Sequence, residues 1–243
     1  FQITEQSEKT QLTLVWESQL SGREMQWVMP TLLDSLPIQL ANLQVKSQIK
    51  ASGTFQQLKV QQFEHWLQDS SYLKIAGSLQ EIVDPDKFRA SLRLDTGWVH
   101  QKDLDTLGVL AILGEGISLP MRSQFRASFE GSMRQFSSQA DLFFPQGHLR
   151  AELALAESSD SITSYQALLN TNELDIRQFL EGTGLGKLDL LVQLEGKGLS
   201  QEDAVLEASG KISGLEYNQY AYQAMELNAS LSEKKADVSL ISQ

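Results

Sequence analysis

Three glycines and a lysine stand together in residues 179–191, FLEGTGLGKLDLL. Glycine-rich loops of this kind can cradle phosphate through backbone N–H groups, with the lysine reaching the outer phosphates. The spacing does not fit that chemistry. A nucleoside-triphosphate loop has four residues between its outer glycines and a hydroxyl directly after the lysine. Here Gly182 and Gly186 enclose only Thr183, Gly184 and Leu185, and Leu188 follows Lys187. The dinucleotide pattern fails too, because Lys187 takes its last glycine position and the strand follows the loop instead of preceding it. The glycines read as structural. Gly182 ends a helical segment by supplying a positive φ, and Gly184 and Gly186 turn the chain into the next strand.

Other reactive side chains are equally scattered. His65, His100 and His148 are far apart, and none has a metal-binding partner two or four positions on, so no metal site is expected. His65, in QQFEHWL, and His148, which alternates outward from Leu149, read as solvent-facing or rim residues. There is no G-x-S-x-G nucleophile turn. Asp84 and Asp86 flank Pro85 and suit a turn better than a glycosidase pair. Asn228-Ala229-Ser230 matches a glycan acceptor but falls in a strand. Trp27 and Trp98, and the Tyr217, Tyr220, Tyr222 cluster, read as core or cross-strand packing, with a cation or sugar platform as the alternative. No acid/base set, catalytic residue or cofactor loop emerges, so the expectation is a protein that is not an enzyme and needs no cofactor.

Composition narrows the partners. The formal net charge is −11 and no Lys/Arg cluster appears, which argues against nucleic acid and against an anionic membrane surface. Cysteine is absent, which removes disulfides, thiolate metal sites and thiol nucleophiles. Apolar residues make up 41% of the 243, enough to bury a core. The densest apolar run, LGVLAIL, is far shorter than a membrane-spanning helix. The chain opens at Phe1 without Met and stops inside an alternating run, which predicts a fragment of a longer protein whose anchor and targeting segments lie outside it.

The elements that would position any site are strands. Period-2 alternation dominates, as in half-buried strands with one apolar and one wet face. Phe88, Ala90, Leu92 and Leu94 face one way, and Arg89, Ser91 and Arg93 the other. Met121, Phe125, Ala127 and Phe129 oppose Arg122, Gln124, Arg126, Ser128 and Glu130. GHLRAELAL, LDLLVQLEG, LQVKSQIKAS and MELNASLS behave likewise. Turn signals fall between them at VDPDK, FPQGH, AESSDS and SEKK. Three segments break the alternation and predict short helices, at 29–36, 101–113 and 174–182.

Trp27 and Trp98, and Asp103 and Asp175, are separated by similar intervals, which predicts an internal repeat of roughly 70 residues. The expected organisation is an incomplete first unit over 1–36, units over 37–113 and 114–182 that each end in a helix, and an incomplete last unit over 183–243. All would belong to one continuous, mainly β structure: an elongated, curved antiparallel sheet with short helices between units.

The last third resembles the TamB-like proteins of the AsmA superfamily, in particular the Bacteroidota branch. The resemblance rests on the Leu-Asp helix start at 174–180, on Leu185-Gly186 opening an alternating strand, and on Gly196-Lys197-Gly198 closing it. Gly214-Leu215 and then Tyr217-Asn218-Gln219-Tyr220-Ala221-Tyr222 follow, with Gln219 where the family commonly has Gly. It covers about residues 167–231; upstream it rests on repeat form. The resemblance implies a repeating β-groove with an apolar interior, in a periplasmic chain anchored in the inner membrane. It also implies phospholipid movement between membranes, work beside an outer-membrane barrel partner of the TamA type, and no catalytic residue.

The candidate lining positions are Leu92, Leu94, Phe125, Phe129, Leu153, Leu190, Val192, Leu194, Leu227 and Leu231. Phospholipid acyl chains are the expected ligand, since each methylene taken out of water contributes roughly 0.8 kcal/mol and a chain on the order of 10 kcal/mol. The same alternation would serve a closed barrel or sandwich core, because it marks a buried face and not what buries it. Two functions follow from the resemblance: a lipid conduit for outer-membrane biogenesis, or a scaffold offering open sheet edges to nascent outer-membrane strands. A charge at Val192 or Phe125 should stop a conduit, with the fold intact, and leave a scaffold working.

Overall fold

The computed structural model describes residues 10–22, 24, 43–68, 70–106, 118, 120–132, 134–157, 163–180, 182–198, 204–232 and 235–242. The fold is mainly β and antiparallel, as the alternation predicts. The chain divides into two compact units, Phe1–Glu130 and Gly131–Gln243.

In the first unit β1 (Leu12–Ser21), β2 (Gln44–Gly53), β3 (Gln57–Leu67), β4 (Ser71–Gln80), β5 (Arg89–His100) and β6 (Arg122–Gly131) follow one another in space as in sequence. A short helix, α1 (Gln101–Thr106), follows β5. The second unit holds β7 (Gln135–Phe144), β8 (Gly147–Glu157), β9 (Thr163–Asn172), β11 (Leu185–Lys197), β12 (Val205–Tyr217), β13 (Tyr220–Ser232) and β14 (Lys235–Ser242) in that order, with the two-residue β10 (Leu174–Asp175) beside β11. Neither set of strands closes into a barrel.

Local chemistry sets the turns. The Asp84 carboxylate accepts from the Asp86 N–H at 3.2 Å and pairs with Lys87 at 2.8 Å, which makes VDPDK the β4–β5 turn. Asn218 and Gln219 take φ of 50° and 69°, a two-residue hairpin turn of the kind that matches strand twist. Tyr217 and Tyr220 pair across it. Residues 158–161 of AESSDS and 233–234 of SEKK lie outside the described residues.

The helices shrink relative to expectation. The segment 29–36 and residues 107–113 lie outside the described residues, and Gln101–Thr106 is helical. The expected helix at 174–182 is instead β10 and a single 3-10 turn, Ile176–Gln178. Pairing wins there: Leu174 sits opposite Leu188 and Asp175 opposite Lys187. Glu173 enters with φ 48°. The Asp175 carboxylate then caps the turn, accepting from the Arg177 N–H at 3.2 Å and holding the guanidinium at 2.9 Å. That guanidinium keeps the Asp175 carboxyl below its ordinary range. Gly182 and Gly184 both take φ 76° on the way into β11.

α1 is fastened by one buried acid. Asp103 is fully buried and accepts from the Ser70 hydroxyl at 2.7 Å and from the Ser71 hydroxyl. The His100 N–H, at the end of β5, donates to Ser71 Oγ at 2.9 Å, so the start of α1 is held against the β3–β4 hairpin from both sides of the junction.

Candidate functional site

Side chains directly opposite one another on paired strands share a face. In the second unit the register therefore assembles rows across seven strands. One row runs Ser138, Leu153, Ala167, Leu194, Ala208, Ala229, Val238. The next runs Ala140, Ala151, Leu169, Val192, Gly210, Leu227, Leu240. A third joins Tyr165, Gly196, Leu206 and Leu231. No charged side chain stands on this face at any of these registers. The opposite face carries Gln166, Glu195, Glu207, Ser230 and Asp237 along one row alone.

The two faces differ in burial. Val192, Ile212 and Met225 are buried, and Leu190, Leu194, Leu227 and Leu231 are half-buried, whereas Gln193, Glu195, Glu207 and Asn228 on the reverse are exposed. The most extensive contacts of each strand are with its neighbours in the sheet. Leu153 at 37%, Leu240 at 56% and Val238 at 68% exposure are open parts of the face. A separate open depression of about 660 Å³ over β11–β14 is lined mainly by the reverse face, with Glu195, Glu207 and Asp237. Its carboxylates do not suit an acyl chain.

The first unit builds a comparable face. Trp16, Ile49, Phe63, Ile75 and Leu94 form one row, and Leu14, Ala51, Val60, Gly77 and Leu92 another. The Phe125 ring rests on Gly97 beside Leu94, which puts it on the same face, and Phe129 follows two alternations along β6. The ten candidate lining residues thus fall on two apolar faces: Leu92, Leu94, Phe125 and Phe129 in the first unit, and Leu153, Leu190, Val192, Leu194, Leu227 and Leu231 in the second.

Two features of the first unit escape a period-2 reading. The first is His65. A bulge at Gln61–Gln62 re-phases β3, so Phe63, His65 and Leu67 point with Val60 instead of against it. His65 is therefore not a solvent-facing rim residue: it is half-buried on the apolar face, with Nδ1 at 2.9 Å from Ser47 Oγ. Burial holds its pKa below the ordinary value. His148 does lie on the polar face, at 3.2 Å from Asp141 and stacked on Phe143.

The second is an aromatic ladder on the reverse face. Lys46 Nζ lies 5.4 Å from the Trp66 ring centre, Trp66 and Tyr72 are 5.2 Å apart, Tyr72 and Trp98 4.6 Å, and the Arg122 guanidinium is 5.4 Å from Trp98. Burial and the nearby Glu64 carboxylate push the Tyr72 hydroxyl up. Trp98 is thus cross-strand packing; Trp27 lies outside the described residues.

Among the described residues no helix is long and apolar enough to cross a membrane, and no three His, Asp or Glu side chains are grouped to hold a metal. No family model, curated protein or solved structure matches the chain.

Proposed function

We propose that the chain is a segment of a hydrophobic conduit that carries phospholipid acyl chains across the periplasm in support of outer-membrane biogenesis. The observation behind this reading is the seven-strand face of the second unit, which is apolar and free of charge along the rows through Leu194 and Val192, with Glu157 and Arg134 paired at its margin. An acyl chain fits such a surface because the match requires contact without specific hydrogen bonds. Its transfer from water contributes roughly 0.8 kcal/mol per methylene. Headgroups would remain at the wet margin. In this reading the protein catalyses no reaction, is part of a chain anchored in the inner membrane, and works with an outer-membrane barrel of the TamA type.

The test is lipid capture. A photo-crosslinking residue at Leu190 or Leu194 should label phospholipid in bacterial envelopes, and purified chain should retain lipid detectable by mass spectrometry. Leu194→Asp, at a half-buried position, should abolish both while circular dichroism stays native. Absence of lipid from the unmodified chain in both assays sinks the conduit.

A second reading, a scaffold for outer-membrane strands, draws on β14. That strand is exposed throughout and, among the described residues, pairs only with β13. Strand addition there would use backbone hydrogen bonds. Leu194→Asp would leave such a scaffold active, whereas a proline at Val238 would impair it.

A further inference from the structure

The apolar face of the first unit contains one polar row. Ser18, Ser47 and His65 stand opposite one another on β1, β2 and β3. On one side of them lies the row of Trp16, Ile49 and Phe63, and on the other Leu20, Val45 and Leu67. The row continues into Leu73 and Gly97. It is thus a polar patch three strands wide, enclosed by apolar rows.

Within the patch, the hydrogen bonding is incomplete. Ser47 Oγ occupies His65 Nδ1 at 2.9 Å. Among the described residues Nε2 has no hydrogen-bond partner. An imidazole satisfied only at one nitrogen, on a half-buried apolar surface, loses part of its solvation without full compensation. A cross-strand Ser–His pair kept for packing alone would be replaced at lower cost by apolar side chains, as at Ile49–Phe63 one register away.

We infer that Ser47 and His65 form a polar station in the groove that binds the ester carbonyl of an acyl lipid. This rests on the reading that the apolar face takes acyl chains. The Ser47 hydroxyl donates to Nδ1, which leaves the ring proton on Nε2, and Nε2–H donates to the carbonyl oxygen. Ester, not carboxylate or phosphate, is the class the chemistry selects. Burial favours the neutral imidazole, which is a donor without a charge. No Lys or Arg shares the face at the neighbouring registers to balance an anion. The hydrocarbon on either side of the carbonyl would lie on the flanking apolar rows.

The test compares two probes of similar length delivered from cyclodextrin to the whole chain: methyl oleate, and 1-octadecene, which has no carbonyl. Wild type should prefer the ester, and His65→Phe should reduce that preference about five-fold, the size of one neutral hydrogen bond, with octadecene binding unchanged. Ser47→Ala, which keeps the ring but releases its tautomer, should move the preference the same way by less, and stands in if His65→Phe does not fold. Nitrogen NMR of the ring should show the proton on Nε2, and a shift on adding methyl oleate but not octadecene. An unchanged ester preference in both variants, or a ring that does not respond to methyl oleate, overturns the station while leaving the groove. A wild-type chain that binds neither probe overturns the groove and the station together.

Discussion

The two units present the same apolar surface with different interruptions. In the second, rows of Leu, Val, Ala and Gly cross seven strands, and Thr171, the buried hydroxyl on that side, is spent on the backbone of Leu188 and Leu190. In the first, Ser18, Ser47 and His65 cut across the rows, and the reverse face adds a ladder of rings and cations to its amides and carboxylates, Gln48, Glu17 and Glu64 among them. The alternation in the sequence is alike in both. What separates them is where a bulge falls: the one in β3 turns an imidazole inward, while the irregularity at Asp189–Leu190 leaves Leu190, Val192 and Leu194 in phase with Ile212, Gly210 and Ala208. One inserted residue therefore decides whether an apolar face stays uniform or acquires a polar point.

The contrast is most easily broken with a charge. Val192→Asp buries a carboxylate with no partner at a position 7% exposed, and should destabilise the second unit by about 3 kcal/mol or more. Ser47→Asp places the same charge in the polar row and should cost less than half of that. Hydrogen exchange of β11 and of β2 reads the two separately, and equal costs would erase the distinction. The burial of Val192 also corrects the expectation that a charge there leaves the fold intact; Leu194 is the better probe of the groove.

Removing the centre of the ladder should have the next largest effect. Tyr72→Ala eliminates contacts to both Trp66 and Trp98 and should cost the first unit about 2 kcal/mol in denaturant melts, with the second unit unmoved. pH gives a smaller separation. The folded pKa of His65 lies below the ordinary 6.5, so the unfolded chain takes up the proton first. Stability of the first unit is complete above about 6.5 and declines as pH falls from there through the folded value. Asp175 works at the other end: its depressed pKa contributes stability above about 3.8 that is lost as pH falls through the folded value. Hydrogen exchange should thus loosen β2–β4 before β10–β11 on acidification, and His65→Phe should remove the early phase. Smallest of all, Ala224 lies in β13 with φ 53°, and Ala224→Gly should stabilise the second unit by roughly 0.5 kcal/mol in thermal melts.

Strands that keep phase were readable from residue order. β6 and β8 alternate without interruption, so Phe125 and Phe129, or Leu149 and Ala151, could be assigned to one side directly. His65 could not: counting by two from Val60 sends it outward, and only the adjacent glutamines, Gln61 and Gln62, hint at an extra residue. Residues 174–180 have helical spacing, yet two backbone pairs with β11 and an aspartate cap outweigh a propensity worth tenths of a kcal/mol per residue. The Lys46–Trp66–Tyr72–Trp98–Arg122 ladder draws on five strands, so no local window contains it. Which residues share a face was legible wherever no bulge intervenes; what covers that face was not, because alternation marks a buried face and not what buries it.

Two rings decide how deep the apolar faces are. Phe125 leans across Gly97, and Tyr165 across Gly196, each with its tip where a glycine Cβ would otherwise be. The glycines act as recesses. Because the rings are seated in them, they lie flat on the face; a methyl group in either recess would tilt the ring upward, so that it stands out from the sheet. Clearance along each face is therefore set by a hydrogen atom on the neighbouring strand as much as by the size of the aromatic itself.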